Sequence, residues 1–255
     1  MGDILPRAEV DGRPVDVEVV PSMESRTGHF TAMQVRDGRT RGLDLHLSRL
    51  KAANRELFDI GFDGEHVRAL IRQALQDTKD ASVRVYVLEA EAQPAMLVTV
   101  REPAKIASPQ RLKSVAFQRP QPHLKHLAAG QGPYREHVQR EGFDDALLVG
   151  DDGAMSETSI ANIGFFEGPD VVWPDAPQLQ GITMQLLETA LPARGIQIRR
   201  ATVRLRDIPS FEGAFLTNAR GVAAVTGIDD VELPASEERT RSLTETYDSL
   251  TWDVL

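Results

Sequence analysis

The feature that most constrains the fold is a change in apolar periodicity along the first hundred residues. Apolar residues recur at helical spacing over 47–58 and again over 67–74, on either side of a glycine-containing break at 61–64. Residues 82–88 then alternate between apolar and polar side chains, and a second apolar run covers 96–100. Two amphipathic helices followed by paired strands predict an α/β (α+β) architecture, in which helices cover a sheet.

A stretch dense in proline separates this first half from the rest of the chain. Four prolines fall between Glu102 and Pro122, at positions 103, 109, 120 and 122. Proline cannot donate a hydrogen bond to a sheet and cannot continue a helix. We therefore predict a linker over about 102–122, with a domain on each side.

The second half again mixes helices with strands. Its predicted elements are a short helix ending near Arg140, strands near 146–149, 162–166 and 171–173, a helix opening at Gly181-Ile182-Thr183, strands near 196–198 and 214–217, and a final helix carrying Leu243, Tyr247 and Leu250.

Composition excludes several classes of function. The chain has 255 residues, of which 41% are hydrophobic and 26% charged, as in ordinary globular proteins. A net charge of −9 argues against binding to nucleic acid or anionic lipid and favours a small-molecule partner. No stretch of about 18 apolar residues is present, so we expect no membrane span.

Two further features predict a cytoplasmic location. The sequence contains no cysteine, which excludes disulfides and thiol chemistry and is typical of a reducing compartment. The first residues, Met1 to Pro6, lack the apolar segment of a secretion signal.

The common catalytic signatures are absent, but one lysine stands out. No phosphate-binding glycine loop, zinc-protease motif or serine-hydrolase elbow occurs. Of the six histidines only His123 and His126 are close enough to share a helical face, and they have no carboxylate nearby, so we predict no metal. Among the five lysines, Lys125 has prolines and histidines as neighbours, in Arg119-Pro120-Gln121-Pro122-His123-Leu124-Lys125-His126. A lysine that is desolvated or near other cations loses its proton more easily and can attack an aldehyde.

Five sequence blocks occur in a specific order from Gly28 to Ile228. They are Gly28-His29-Phe30-Thr31, Leu45-His46-Leu47-Ser48-Arg49-Leu50, the stretch 143–166 in which Glu157 precedes Asn162 by five residues, Gln180-Gly181-Ile182-Thr183, and Phe215-Leu216-Thr217-Asn218. In this order they resemble the class IV aminotransferases, which are pyridoxal-phosphate enzymes of fold type IV. That family includes branched-chain aminotransferases, D-amino acid aminotransferases and aminodeoxychorismate lyase.

The resemblance implies an architecture and a reaction. It implies an N-terminal α/β sandwich over 1–118 and a C-terminal cofactor-binding domain over 119–255, built on a barrel-like mixed sheet, with the active site between them. It implies amino-group transfer between an amino acid or amine and a keto acid. It further implies a homodimer in which the first domain of one subunit helps to wall the partner's site.

The resemblance also implies the roles of individual residues. Lys125 would link covalently to pyridoxal 5′-phosphate (PLP), and Glu157 would keep the pyridine nitrogen protonated. The other residues implied for the cofactor are Arg49, Asn162, Gly181, Ile182, Thr183, Thr217 and Asn218, with Thr183 and Thr217-Asn218 expected at helix N-termini that bind the phosphate. The residues expected near the substrate are Thr31, Arg84 and Tyr134.

One departure from the family pattern leaves three functions open. Many aminotransferases of this family carry a tyrosine five residues after the reactive lysine, where this chain has Gly130, with Tyr134 four residues further on. The pairs Phe30-Thr31 and Lys125-His126 resemble the lyase branch. The alternatives are therefore a transaminase, a 4-amino-4-deoxychorismate lyase that eliminates pyruvate, and a PLP-binding protein with little turnover.

Overall fold

The computed structural model describes residues 6–24, 27–127, 129–234 and 236–255. Met1 to Leu5, part of the segment from which the absence of a secretion signal was predicted, lie outside the described residues. No helix in the described ranges is both long and apolar enough to cross a membrane. The same ranges contain no cluster of three or more His, Asp or Glu side chains suited to a metal ion.

The elements follow one another in this order along the described chain: β1 (Arg7–Val10), β2 (Arg13–Val15), α1 (Val20–Glu24), β3 (Gly28–Val35), β4 (Arg39–Thr40), α2 (Leu43–Phe58), α3 (Gly64–Leu75), β5 (Ala81–Leu88), β6 (Ala95–Arg101), β7 (Gln110–Ala116), α4 (Gly132–Arg140), β8 (Asp145–Val149), β9 (Met155–Thr158), β10 (Asn162–Glu167), β11 (Asp170–Pro174), α5 (Ile182–Ala190), β12 (Ile198–Ala201), β13 (Gly213–Asn218), β14 (Gly221–Ile228), β15 (Val231–Glu232), α6 (Glu237–Asp248) and β16 (Asp253–Val254).

The chain divides into two compact units. The first contains Met1–Ala104, Leu124–Ala128 and Thr251–Leu255, and the second contains Lys105–His123 and Ala129–Leu250. The predicted assignment of residues 119–255 to a cofactor-binding domain stays a prediction.

The first unit is an antiparallel sheet covered by helices. Five of its described strands form a sheet in the order β2-β1-β6-β5-β3, and β4 pairs with β16 in a separate two-stranded sheet. Apolar residues of α2 and α3 pack with β3, β5 and β6 in a core that includes Leu50, Ile71, Val85 and Val100. The predicted helices and strands of this half are confirmed.

The starts of the two helices in this unit are stabilised in different ways. The side chain of Asp63 accepts hydrogen bonds from the N–H groups of Glu65 and His66 and so caps α3 locally. Gly42 precedes α2 in a left-handed conformation and supplies no side-chain cap. Instead, the Leu43 N–H donates to Asp253 Oδ2 at 2.9 Å, so the C-terminal segment caps this helix.

The second unit is built on a large mixed sheet. Its described strands follow the order β12-β11-β10-β13-β14-β7-β8-β9, with β15 paired to β14. The β11–β12, β14–β7 and β7–β8 pairs are parallel, and the other pairs are antiparallel. One core contains Phe165, Leu216 and Val225, and a second contains Trp173 and Leu187. The expected combination of an α/β part with a curled mixed sheet is confirmed.

Two predictions about local structure were wrong. The predicted linker contains β7, whose pairing with both β14 and β8 makes it an interior strand, because Pro103, Pro109, Pro120 and Pro122 flank the run instead of interrupting it. Thr217 and Asn218 do not open a helix. They end β13, and the chain turns directly into β14.

Candidate functional site

The backbone around Lys125 is held by an edge strand of the first unit. The Phe30 N–H donates to the Lys125 carbonyl, and the Leu127 N–H donates to the Gly28 carbonyl, both at 2.9 Å. The Lys125 Nζ lies 4.8 Å from the centroid of the Phe30 ring, where the π electrons favour a cation. Lys125 is therefore a half-buried amine on a backbone fixed at both sides.

Arg49 and Thr31 lie together in the same unit. Arg49 is on α2, and its Nη2 donates to the hydroxyl of Thr31 on β3. The Arg49 Nε is enclosed and lacks a hydrogen-bond partner in the described part of the molecule. Burial lowers the pKa of Arg49 to about 10, still far above neutrality. The residue remains a cation with unused hydrogen-bonding capacity.

Two buried histidines accompany this pair. His46 Nδ1 lies 2.6 Å from Thr31 Oγ1, and His29 Nε2 lies 2.7 Å from Asn54 Oδ1. Burial lowers the pKa of His29 to about 4. Burial and the positive charges of Arg49 and Lys125 hold the pKa of His46 well below its ordinary value. Both imidazoles are therefore neutral at pH 7.

Glu157 is a buried carboxylate of the second unit. It lies on β9, and its Oε1 accepts from Arg119 Nε at 2.9 Å while its Oε2 accepts from the Leu179 N–H at 3.3 Å. Glu157 and Arg119 are each 5% exposed. Arg119 also donates through Nη2 to the Pro122 carbonyl. A positive charge and an N–H donor against the same carboxylate favour its ionised form.

Asn162 joins Glu157 to the start of α5. The Asn162 Nδ2 donates to the Leu179 carbonyl at 2.7 Å and to Gln178 Oε1 at 2.9 Å. Gly181 precedes α5, and a Cβ at this position would overlap Asn162 Oδ1. The close approach requires glycine, and it places the free amides at the start of α5 beside a polar cluster.

Thr183, Thr217 and Asn218 lie in the same cluster. Thr183 Oγ1 donates to the Asn218 carbonyl at 2.8 Å. Thr217 is paired with Asn162 across β10 and β13, and its hydroxyl is buried without a partner among the described residues. Ile182 is the first residue of α5. The structure therefore brings Glu157, Asn162, Gly181, Thr183, Thr217 and Asn218 into one connected group, while Lys125, Thr31 and Arg49 lie in the first unit.

The remaining two predicted residues have partners of their own. Arg84 Nη1 donates to the Tyr86 hydroxyl at 3.2 Å. The Tyr134 ring packs 4.7 Å from the Phe117 ring. Gly130 has φ +80°, and a Cβ there would lie 3.2 Å from Phe117 Cζ, so a tyrosine at this position would be strained.

Two residues of these clusters were missed by sequence reasoning. Arg119 was considered only as a cationic neighbour of Lys125, because nothing in a single sequence links it to Glu157, 38 residues away. His46 was part of a quoted motif but had no role. Its spacing of three residues before Arg49 on a helix was the available signal.

Comparison with known proteins decides the family. The family model for amino-transferase class IV matches residues 28–228, most of the chain. The chain belongs to the class IV aminotransferases. The suspected resemblance is thus confirmed, and the cofactor of this family is PLP.

Individual relatives of this class IV aminotransferase are more distant. A probable branched-chain-amino-acid aminotransferase of Rickettsia felis is 31% identical over 100 residues, which are 39% of this chain and 34% of that protein. The match thus spans about a third of the length of the curated relative. A hypothetical aminotransferase from Mycobacterium tuberculosis in its PLP-bound form has a TM-score of 0.81 at 20% identity, covering 96% and 98% of the two chains.

A third similarity is also structural. A putative 4-amino-4-deoxychorismate lyase from Legionella pneumophila has a TM-score of 0.76 at 18% identity, covering 90% of this chain and 92% of that one. At such identities the two structural matches establish the shared fold.

The residues of this class IV aminotransferase fit the family's cofactor. The enclosed Arg49 Nε and the buried Thr217 hydroxyl both lack partners in the part of the chain that the structure describes. A phosphate dianion accepts hydrogen bonds from such groups and from helix N-terminal amides like those of Ile182 and Thr183. Glu157, paired with Arg119, is a carboxylate of the kind that a pyridinium nitrogen requires.

Proposed function

We propose that this class IV aminotransferase is a PLP-dependent transaminase that moves an amino group between an amino acid or amine and a keto acid. The observation that carries the proposal is the family match, because residues 28–228 include every residue assigned below. The partnerless polar groups at Arg49 and Thr217 support it further.

Lys125 is proposed to hold the cofactor and to move the proton. When bound, PLP supplies an electron sink for the negative charge that develops at the substrate Cα. The Lys125 Nζ would take the proton from the substrate Cα and deliver it to the C4′ carbon of the cofactor, which requires an amine whose backbone does not shift during turnover. The hydrogen bonds from Phe30 and to Gly28 on either side of Lys125 provide that rigidity.

The other residues are proposed to bind the two ends of the cofactor. Glu157, held by Arg119 and the Leu179 N–H, would keep a proton on the ring nitrogen and thereby deepen the electron sink. The phosphate would be bound by Arg49, by the Thr217 hydroxyl and the Asn218 segment, and by the amides that follow Gly181, with Asn162 bracing the glycine.

Arg84 and Tyr134 are proposed to face the substrate, whereas Thr31, also predicted there, is fully buried between Arg49 and His46 and is not assigned to the substrate. A guanidinium such as that of Arg84 is suited to a substrate carboxylate. The contact between Arg84 and the Tyr86 hydroxyl would then be exchanged for the substrate.

An absorbance titration of the purified chain with PLP tests the proposal. Wild type should develop the visible band of covalently bound cofactor, and that band should bleach with an amino donor and return with a keto acid. Borohydride reduction and peptide mapping should locate the adduct at Lys125. Lys125→Ala should abolish the band, whereas Lys113→Ala, which removes a surface amine paired with Asp229, should leave it unchanged. An adduct on Lys105 or Lys113 would contradict the assignment.

The lyase is the second candidate, favoured by the Phe30-Thr31 and Lys125-His126 pairs. The same protein incubated with 4-amino-4-deoxychorismate should then release pyruvate and p-aminobenzoate without a keto-acid acceptor. Half-reactions with amino donors and no pyruvate release would exclude it. Bound cofactor with neither reaction would indicate a binding protein, the outcome that Gly130 suggests.

We further propose a homodimer and a cytoplasmic location. Closed two-fold dimers are the commonest soluble oligomers, and the 28.1 kDa chain should give twice that mass in light scattering. A monomer that keeps full activity at nanomolar concentration would contradict the dimer. The cysteine-free sequence supports a reducing compartment, which fractionation of the source cells would test.

A further inference from the structure

Arg49 has very few groups that fix its orientation. In the described ranges, no carboxylate lies within ion-pair distance of its guanidinium, and the side chain to which it donates is that of Thr31. The enclosed Nε lacks a partner in the same ranges. An arginine side chain has many rotamers, and one hydrogen bond restricts them only if the acceptor is itself fixed.

The acceptor is fixed by His46. Thr31 is fully buried, and its Oγ1 lies between Arg49 Nη2 and His46 Nδ1. Because arginine can only donate, Thr31 accepts from Arg49 and has one hydrogen left to donate. When His46 Nδ1 accepts that hydrogen, both the O–H and the oxygen of the Thr31 hydroxyl have a hydrogen-bond partner. Without this acceptor, the buried O–H would have none among the described residues.

The state of His46 matches the role of an acceptor. Burial and the nearby positive charges of Arg49 and Lys125 lower its pKa, so the ring is neutral at pH 7. A neutral ring with its proton on Nε2 leaves Nδ1 free to accept. His46 and Arg49 are three residues apart on α2, so both side chains reach Thr31 from one helical face.

We propose that His46 is a positioning residue that acts through the Thr31 hydroxyl to aim Arg49 at a phosphate ester. This inference rests on the proposed function and adds to it a residue that does not touch the ligand. We call this His46–Thr31–Arg49 arrangement the relay. The relay requires a hydrogen-bond acceptor at the Nδ1 position of His46, whereas a histidine that merely fills the core does not.

Binding of PLP and of pyridoxal, which lacks the phosphate, tests the relay on the full-length protein. The readout is the dissociation constant from the absorbance of the bound ligand, with no turnover needed. His46→Leu should weaken PLP about tenfold and leave pyridoxal unchanged, because one charge-assisted contact is loosened. His46→Asn, whose Oδ1 replaces Nδ1 as acceptor, should restore wild-type PLP affinity to within about threefold. His46→Gln places its oxygen further out and should not restore it.

Further variants separate the relay from general damage to the fold. Thr31→Val, which keeps the shape of the side chain, should weaken PLP as His46→Leu does and should spare pyridoxal. In the double variant His46→Leu/Arg49→Ala, PLP should bind no more weakly than to Arg49→Ala alone, because the relay acts only through Arg49. Thr31→Val also serves as the test if His46→Leu does not fold.

The outcomes distinguish the two proposals. Wild type that binds neither PLP nor pyridoxal overturns the proposed function, and the relay with it. The relay alone is overturned if wild type binds PLP and both His46→Leu and Thr31→Val bind PLP as tightly as wild type does. Equal weakening of PLP and pyridoxal also overturns it, since that marks a structural histidine. Loss confined to PLP, with rescue by asparagine, supports it.

Discussion

Glu157 illustrates how much depends on a single charge. Its carboxylate is buried and accepts from Arg119 and Leu179. Glu157→Gln keeps an oxygen for one of those donors, turns an amide NH2 toward the other and removes the charge, so we expect turnover to fall about 10²–10³-fold while covalent attachment of PLP persists. Steady-state kinetics together with the absorbance of the bound cofactor would measure this. Glu167→Gln, at an exposed pair with Arg199, is the matched control and should not change turnover.

Arg119 should matter for stability as much as for chemistry. Arg119→Leu leaves a buried carboxylate without its cation, and breaking such a pair typically costs about 3–5 kcal/mol. Urea unfolding should show this loss. In the double variant with Glu157→Gln, most of the stability should return, because no unpaired charge remains. Equal stability of Arg119→Leu and wild type would mean that water or another group compensates the carboxylate.

At this scale the sequence identified residues by resemblance and missed those defined by contact. Glu157, Asn162, Gly181 and Thr183 were predicted from ordered blocks, and the structure connects them. Arg119 could not be assigned because pairing across 38 residues depends on the path of β7, β8 and β9. Contacts between distant side chains leave no mark in the local pattern of one sequence.

Elements with a single clear period and the short strands near 146–149, 162–166 and 171–173 were predicted well, but two other segments were misread. The apolar residues at helical spacing in α2 and α3 and the apolar–polar alternation in β5 are visible in the sequence, because each of these elements buries one face. The strand β7 was assigned to the predicted linker, because prolines lie on both sides of it and the strand itself carries few large apolar residues. The turn after Thr217 was misread as a helix start because Thr-Asn suits both a helix cap and a hairpin.

The start of α2 gives a prediction at the scale of an element. Asp253 caps this helix from 210 residues away, where Gly42 has no side chain to do so. Asp253→Ala should lower the free energy of unfolding by about 0.5–2 kcal/mol, as for other helix caps. Asp253→Asn retains an acceptor and should lose less. Urea denaturation of both variants measures the difference, and equal losses would show that the charge near the helix dipole matters more than the hydrogen bond.

For the whole molecule, the buried histidines predict how stability depends on pH. The pKa of His29 is lowered to about 4 from an ordinary value of 6.5, and that of His46 is lowered as well. At pH values between the lowered and the ordinary pKa, these histidines are therefore protonated in the unfolded chain and neutral in the folded chain. Stability from these residues is complete above about pH 6.5 and is lost as the pH falls toward 4, by about 3 kcal/mol for His29 alone.

Replacing His29 should remove its share of this dependence. His29→Gln keeps an amide donor for Asn54 Oδ1 but cannot titrate, so the decline in unfolding free energy between pH 6.5 and 4.5 should be shallower than in wild type. Urea titrations at several pH values give that slope, and His66→Gln on the exposed side of α3 provides a histidine replacement at the surface for comparison. If His29→Gln lost stability with acid as steeply as wild type, the acid sensitivity would have to arise from other groups, His46 first among them, and the neutral state assigned to His29 would be wrong.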